Sequence, residues 1–125
     1  MDRLFITLGA LSGCLAVAAG AFGAHALRDR LAADLLDVFQ TGATYQMYHA
    51  LALVGVGLLL GRFSVGGSTW LNASAWLFVA GTLLFSGSLY LLALTGTRWL
   101  GAITPLGGVA FLLGWLALAV GIWRD

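Results

Sequence analysis

Residues 4–24 read LFITLGALSGCLAVAAGAFGA, without a charged side chain from end to end. A helix needs about 20 mostly apolar residues to cross the hydrocarbon core of a bilayer, and this stretch is long enough. Three more uncharged runs follow, Ala43–Gly61, Trp70–Leu94 and Trp99–Trp123. They fill the 125-residue chain almost end to end. The predicted fold is all-α: a single integral membrane domain over residues 1–125, with four transmembrane helices in an antiparallel bundle. The spans are set at about 4–24, 43–61, 70–94 and 99–123. An aqueous domain of this size could not bury that much apolar surface.

Charge agrees with this reading. Only 9% of the residues are charged, and every Arg and Asp lies outside the four runs. No basic run is present, so no nucleic-acid partner is expected. The lipid bilayer is the expected surrounding. Cys14 is the only cysteine, so it forms no internal disulfide and no metal-binding cluster; no metal or other cofactor is expected. Leu11-Ser12-Gly13-Cys14 imitates a lipoprotein cleavage box. Leu15–Ala24 is apolar where such a protein carries a polar tether, so the expectation is a retained first helix with Cys14 as a small core residue.

Let side A hold the N-terminus and side B lie opposite. Span one runs from A to B, span two returns, span three goes back to B, and span four ends at Trp123-Arg124-Asp125 on side A. Both termini share a side. Phe63–Thr69 reads as a short Gly/Ser turn, and Thr95–Arg98 as a tight one. Trp70, Trp99 and Trp123 stand at run ends, where an aromatic belt belongs, while Trp76 and Trp115 read as packing residues. Side A carries Arg3, Arg62 and Arg124, and side B carries Arg28, Arg30 and Arg98. The positive-inside rule therefore ties; the expectation is a cell-membrane protein with both termini cytoplasmic.

Between spans one and two, Leu27, Leu31, Leu35 and Phe39 recur every four residues beside Val38, with Arg28, Arg30, Asp34 and Asp37 mostly elsewhere on the wheel. This predicts a short amphipathic interfacial helix over about 29–40, with Asp29 as its N-cap. It either turns into span two near Thr41-Gly42 or runs straight on as one long helix. In span four, Pro105 either kinks a helix that begins near Trp99 or opens a helix preceded by an irregular lead-in.

Two spans carry seams of small residues. Gly9, Gly13, Ala16, Gly20 and Gly23 mark span one, and Gly107, Ala110, Gly114, Ala117 and Gly121 mark span four. Lipid gives no hydrophobic drive between helices, so close backbone approach must hold them together. The seams predict either spans one and four packed antiparallel within the chain, or a seam turned outward to build a homo-oligomer.

Polar side chains gather toward side B. His25 ends span one; Tyr45, Gln46, Tyr48 and His49 open span two; Ser86, Ser88 and Tyr90 fall late in span three; Thr104 opens span four. Tyr45 and His49 are four apart and share a face. Ionisable residues within a membrane are costly and mark functional sites. The competing reading is a neutral His49 hydrogen-bonded to a neighbour as a structural pin. Two His without Cys, Glu or a nearby Asp make a poor metal set. No nucleophile–base pair or carboxylate pair lies within the spans, so no enzyme is expected.

Gly20-Ala21-Phe22-Gly23-Ala24-His25-Ala26-Leu27, then Phe39-Gln40-Thr41-Gly42 through Tyr45-Gln46-Met47-Tyr48-His49-Ala50-Leu51-Ala52-Leu53, form two motifs. Leu84-Phe85-Ser86-Gly87-Ser88-Leu89-Tyr90 and Thr104-Pro105-Leu106-Gly107-Gly108 with Gly114-Trp115 add two more. In this order, and over essentially the whole chain, they resemble the bacterial YgdD-like proteins and the transmembrane protein 256 family. That resemblance implies a small multi-pass membrane protein and supplies no reaction. The functional expectation is a non-enzymatic membrane protein whose side-B polar pocket takes a lipid headgroup, a small polar ligand or a partner helix. The alternative is an oligomeric small-solute or proton carrier.

Overall fold

A computed structural model describes residues 1–63 and 68–124. Helix α1 covers Asp2–His25 and α2 covers Ala33–Phe63. Span three is built of α3 (Thr69–Gly81), a wide π turn (Thr82–Ser86) and α4 (Gly87–Thr95). A 3₁₀ segment, Arg98–Ala102, leads into α5, Thr104–Arg124. Four helical stretches are thus long and apolar enough to cross a membrane. Most of the expected Phe63–Thr69 turn, and Asp125, lie outside the described residues.

The amphipathic stretch is not a separate helix. Residues 27–31 form a turn, with Arg30 N–H and Leu31 N–H both donating to the Leu27 carbonyl. Helix α2 starts at Ala33, beyond Asp29, so Asp29 is not its N-cap. From there α2 runs unbroken for 31 residues. At about 1.5 Å per residue it outruns the roughly 30 Å core, so its first turns stand at the side-B surface. The apolar stripe of the turn and these first turns faces protein rather than lipid: Leu27 and Phe39 are buried with Ala93, beside Leu31, Val38 and Tyr90. No bend occurs at Thr41-Gly42. The Thr41 hydroxyl donates to the Asp37 carbonyl within the helix, and Gly42 serves contact instead. A Cβ there would meet Tyr90 Cε1 at 3.0 Å.

The seams pair differently from the expectation. Gly9 of α1 lies against Val54 and the Ala50 carbonyl, and Gly23 against Phe39 and Gln40; Ala16 is buried between them. The partner of α1 is therefore α2, not span four. Helix α2 answers with its own small residues, since Gly57 admits Ile6 and the Asp2 carbonyl. Gly13 makes only loose contact, and a Cβ on Gly20 would meet nothing within 4 Å. The span-four seam is buried along its length against span three. Gly114 faces Phe78, Gly121 faces Leu71, and Gly107 takes the backbone of Phe85 so closely that a Cβ would lie 2.7 Å from Phe85 Cα. Consecutive helices share long antiparallel faces, which explains why the pairs are one–two and three–four. The core between these pairs is Phe5, Leu53, Val56, Leu60, Leu71, Ala75, Phe78 and Phe111.

Hydrogen bonds between spans are few and well placed. Ser74 Oγ donates to the Gly114 carbonyl at 2.8 Å, and Ser86 Oγ to the Gly42 carbonyl at 2.7 Å. Gly96, at φ 69°, closes α4 with its N–H on the Leu92 carbonyl; a left-handed residue there favours glycine. Pro105 sits in the first turn of α5, where its missing N–H costs nothing, so the lead-in is the 3₁₀ segment and the helix is not kinked there. Cys14 is exposed rather than in the core.

Candidate functional site

Helix α2 places Tyr45, Tyr48, His49 and Leu51 at steps of three, one and two, so they sweep one side of the helix. Helix α5 sets Pro105, Gly108, Val109, Leu112 and Trp115 on a stripe offset from its glycine seam. Because both helices lean on span three, a groove of about 770 Å³ is left between those two stripes, with Phe85 and Phe111 at its back. Its rim is exposed, through Tyr48, Leu51, Val109 and Leu112. On membrane-spanning helices such positions face lipid, so the groove opens sideways into the bilayer.

His49 sits at its floor and is only 5% exposed. Its Nδ1 lies 2.7 Å from the Tyr45 carbonyl. Trp115 Nε1 lies 3.0 Å from His49 Nε2. An indole can only donate, so Nε2 must accept, and the proton is assigned to Nδ1, which donates to the carbonyl. His49 is thus a neutral ring with both nitrogens engaged. Its face is covered by Phe111, with centroids 3.5 Å apart and planes within 8°. Tyr45 continues that orientation, 13° from the His49 plane at 6.4 Å. Phe85 touches both Tyr45 and Phe111.

The nine residues expected to share one polar pocket are divided. Tyr45, Tyr48 and His49 line the α2–α5 groove. Gln46 and Tyr90 line a second groove, about 690 Å³, facing α1 with Leu15, Phe22 and Leu94. There Gln46 joins three helices: its Nε2 donates to the Ser12 carbonyl, and Tyr90 donates to its Oε1. Ser86, Ser88 and Thr104 line neither groove and act as fasteners. The Ser88 hydroxyl gives its proton to the Phe85 carbonyl, so the Thr104 hydroxyl, 2.6 Å away, donates to Ser88. His25 is exposed at the end of α1 and lines neither groove. The physical reason is helix rotation. Gln46 and His49 are three residues apart, yet one turns toward Ser12 and Tyr90 while the other turns toward Phe111 and Trp115.

Sequence reasoning that followed polar residues missed Phe85, Phe111, Trp115, Pro105 and Gly108. The signal was available in Trp115: an indole N–H deep in a span needs an acceptor, and His49 is the nearby ring able to accept. Among the described residues, no group of three or more His, Cys, Asp or Glu is placed to hold a metal ion.

Comparison with known proteins agrees with this architecture. The family described as protein of unknown function (DUF423) matches residues 19–108. A UPF0382 membrane protein of Staphylococcus saprophyticus is 48% identical over 122 residues, covering 98% of each chain. One of Staphylococcus epidermidis is 49% identical over 118 residues, covering 94% of this chain and 93% of that one. The UPF0382 membrane protein YwdK of Bacillus subtilis is 49% identical over 118 residues, covering 94% of each. No solved structure matches.

Proposed function

Because the chain belongs to the DUF423 family, whose UPF0382 relatives are named membrane proteins, we propose that it is a non-enzymatic membrane protein that holds one amphiphile in the groove between α2 and α5. The observation that carries this reading is the groove itself. It runs from Tyr45 and Pro105 near side B inward to Leu51, Leu112 and Trp115. Trp115 lies ten steps beyond Pro105 on α5, or about 15 Å at helical rise. That is half of a roughly 30 Å core, the depth of one leaflet. Tyrosine hydroxyls stand at the outer end and aliphatic side chains at the inner end, the polarity of an amphiphile seated as it would be in the leaflet. A groove of this size and lining is of the kind that takes small ligands. His49 fits the pin reading, because both its nitrogens are already bonded, and this gives the proton-carrier alternative no support.

Gly108 offers the test. A Cβ there meets nothing nearer than Phe85 Cδ2 at 3.9 Å, so Gly108→Leu pushes a side chain into the groove without disturbing the seam. Replacing glycine within a helix also adds up to about 1 kcal/mol of helix propensity. Native mass spectrometry from lipid nanodiscs is expected to show a bound lipid in the wild type and its loss in Gly108→Leu, at an equal or higher melting temperature. A lipid adduct of unchanged yield in the variant would remove the groove as the binding site.

A further inference from the structure

Resting on that reading, the geometry points to the chemical class of the occupant: an uncharged lipid whose head is a flat ring carrying hydrogen-bond acceptors, the chemistry of a prenyl quinone, rather than a charged phospholipid head. Three observations carry this. First, no charged side chain lines the groove. Arg28, Arg30 and Arg98 of the side-B surface are not among the groove's lining residues. A phosphate seated in the groove would have no lining cation to meet it, and an unpaired charge away from water is costly. Second, the outer groove is built of ring faces. Tyr45, His49 and Phe111 lie with planes 13° and 8° apart, and Tyr45 is the exposed member of the three, at 41%. Tyr48 meets Tyr45 edge-on at 5.7 Å. A flat head continues such an arrangement by offset stacking or edge contact; an acyl chain has no use for it. Third, neither the Tyr45 nor the Tyr48 hydroxyl has a hydrogen-bond partner among the described residues. Each is an exposed donor at the outer end, open to an acceptor such as a ring carbonyl. An isoprenoid or alkyl tail then follows Leu51, Val109 and Leu112 inward. The proposal is of binding, with no electron transfer.

The experiment uses the whole chain in nanodiscs of phosphatidylethanolamine and phosphatidylglycerol, titrated with decylubiquinone and read by native mass spectrometry. A one-to-one quinone adduct that displaces the phospholipid adduct is expected. Each hydroxyl should contribute about fivefold to affinity, so Tyr45→Phe/Tyr48→Phe is expected to weaken quinone binding at least tenfold while keeping every ring. Circular dichroism melting checks the fold of that variant, and Tyr48→Phe alone serves if the pair fails to fold. Quinone binding unaltered by loss of the hydroxyls overturns the assignment. So does a phospholipid adduct that is lost in Gly108→Leu but never displaced by quinone, and that result leaves the groove reading standing. If no adduct of either kind responds to Gly108→Leu, both readings fall together.

Discussion

Trp115 carries one polar atom, and that atom can only donate. Its bond to His49 Nε2 ties α5 to α2 across the back of the groove, while His49 Nδ1 is tied to its own helix at Tyr45. A histidine so held is a two-way strut: it keeps Tyr45 in register and keeps Trp115 against Phe78, 5.0 Å away. The strength of such a bond within a membrane averages only about 0.6 kcal/mol and reaches about 1.7 kcal/mol at most, because the unfolded chain in lipid finds other partners. The stacking of His49 on Phe111 adds packing that a small side chain would lose. We therefore expect His49→Ala to cost about 2–3 kcal/mol, most of it from the emptied ring site. Trp115→Phe should cost less. A double-mutant cycle by denaturant titration in detergent should return a coupling of about 0.6–1.7 kcal/mol between the two. Strict additivity would mean that the hydrogen bond contributes nothing and that the two rings act only by volume.

Span three shows how one element serves two neighbours at once. The wide turn Thr82–Ser86 brings the Phe85 backbone onto Gly107 of α5 and the Ser86 hydroxyl onto the Gly42 carbonyl of α2. A regular α-helix advances 100° per residue, and one added residue in a π turn resets that phase locally. Leu83 lies in this turn and is 70% exposed. Deleting it is expected to convert the wide turn to α-helix while Leu89, Leu92 and Ala93 keep their buried positions, with a smaller fall in melting temperature than a deletion within α4 causes. Deleting Leu91 instead should rotate Leu92 and Ala93 away from the core by about 100° and unfold the side-B end. Equal thermal melts for the two deletions would show that the turn has no special tolerance. This element also marks the limit of sequence reading. The four spans were legible because apolar length is a direct requirement of the bilayer. The seams were legible because close approach needs small residues. Which seam meets which helix was not, since Gly9 and Gly114 look alike until their partners, Val54 and Phe78, are placed. Nor was the π turn, because no residue in Thr82–Ser86 demands it locally; it falls where the Phe85 backbone meets Gly107. The single polar pocket dissolved for the same reason. Polarity told where hydroxyls and amides sit in depth, and helix phase decided which way each one faced.

The molecule as a whole has two small-residue seams: the span-four seam is buried within the chain, while the span-one seam is met within the chain at Gly9, Ala16 and Gly23 but not at Gly20. Which end faces which compartment is a question of charge. Four crossings put Arg3, Arg62 and Arg124 on one side and Arg28, Arg30 and Arg98 on the other. The positive-inside rule counts arginines and discounts aspartates, so the natural chain is balanced, and one added arginine should tip it. Ala32, Phe63 and Trp123 are exposed and uncharged, so they serve as reporters that leave the arginine count alone once Cys14→Ser has removed the native thiol. In whole cells treated with a membrane-impermeant maleimide, Phe63→Cys and Trp123→Cys are expected to be protected alike, and Ala32→Cys to be labelled. Positions 63 and 123 reacting differently from each other would break the four-span reading outright. Both reacting while position 32 is protected would invert the orientation and leave the fold intact. Asp29→Arg, placed in the turn between α1 and α2, should then shift the population toward the inverted form, because it turns a three-to-three tie into a four-to-three excess on side B. Asp2→Arg should do the reverse and hold the termini inside. If neither substitution moves the labelling pattern, orientation is fixed by something other than arginine count. The side-B surface is then the place to look, where Asp34 and Arg98 pair and Leu27 and Phe39 cover the end of the bundle.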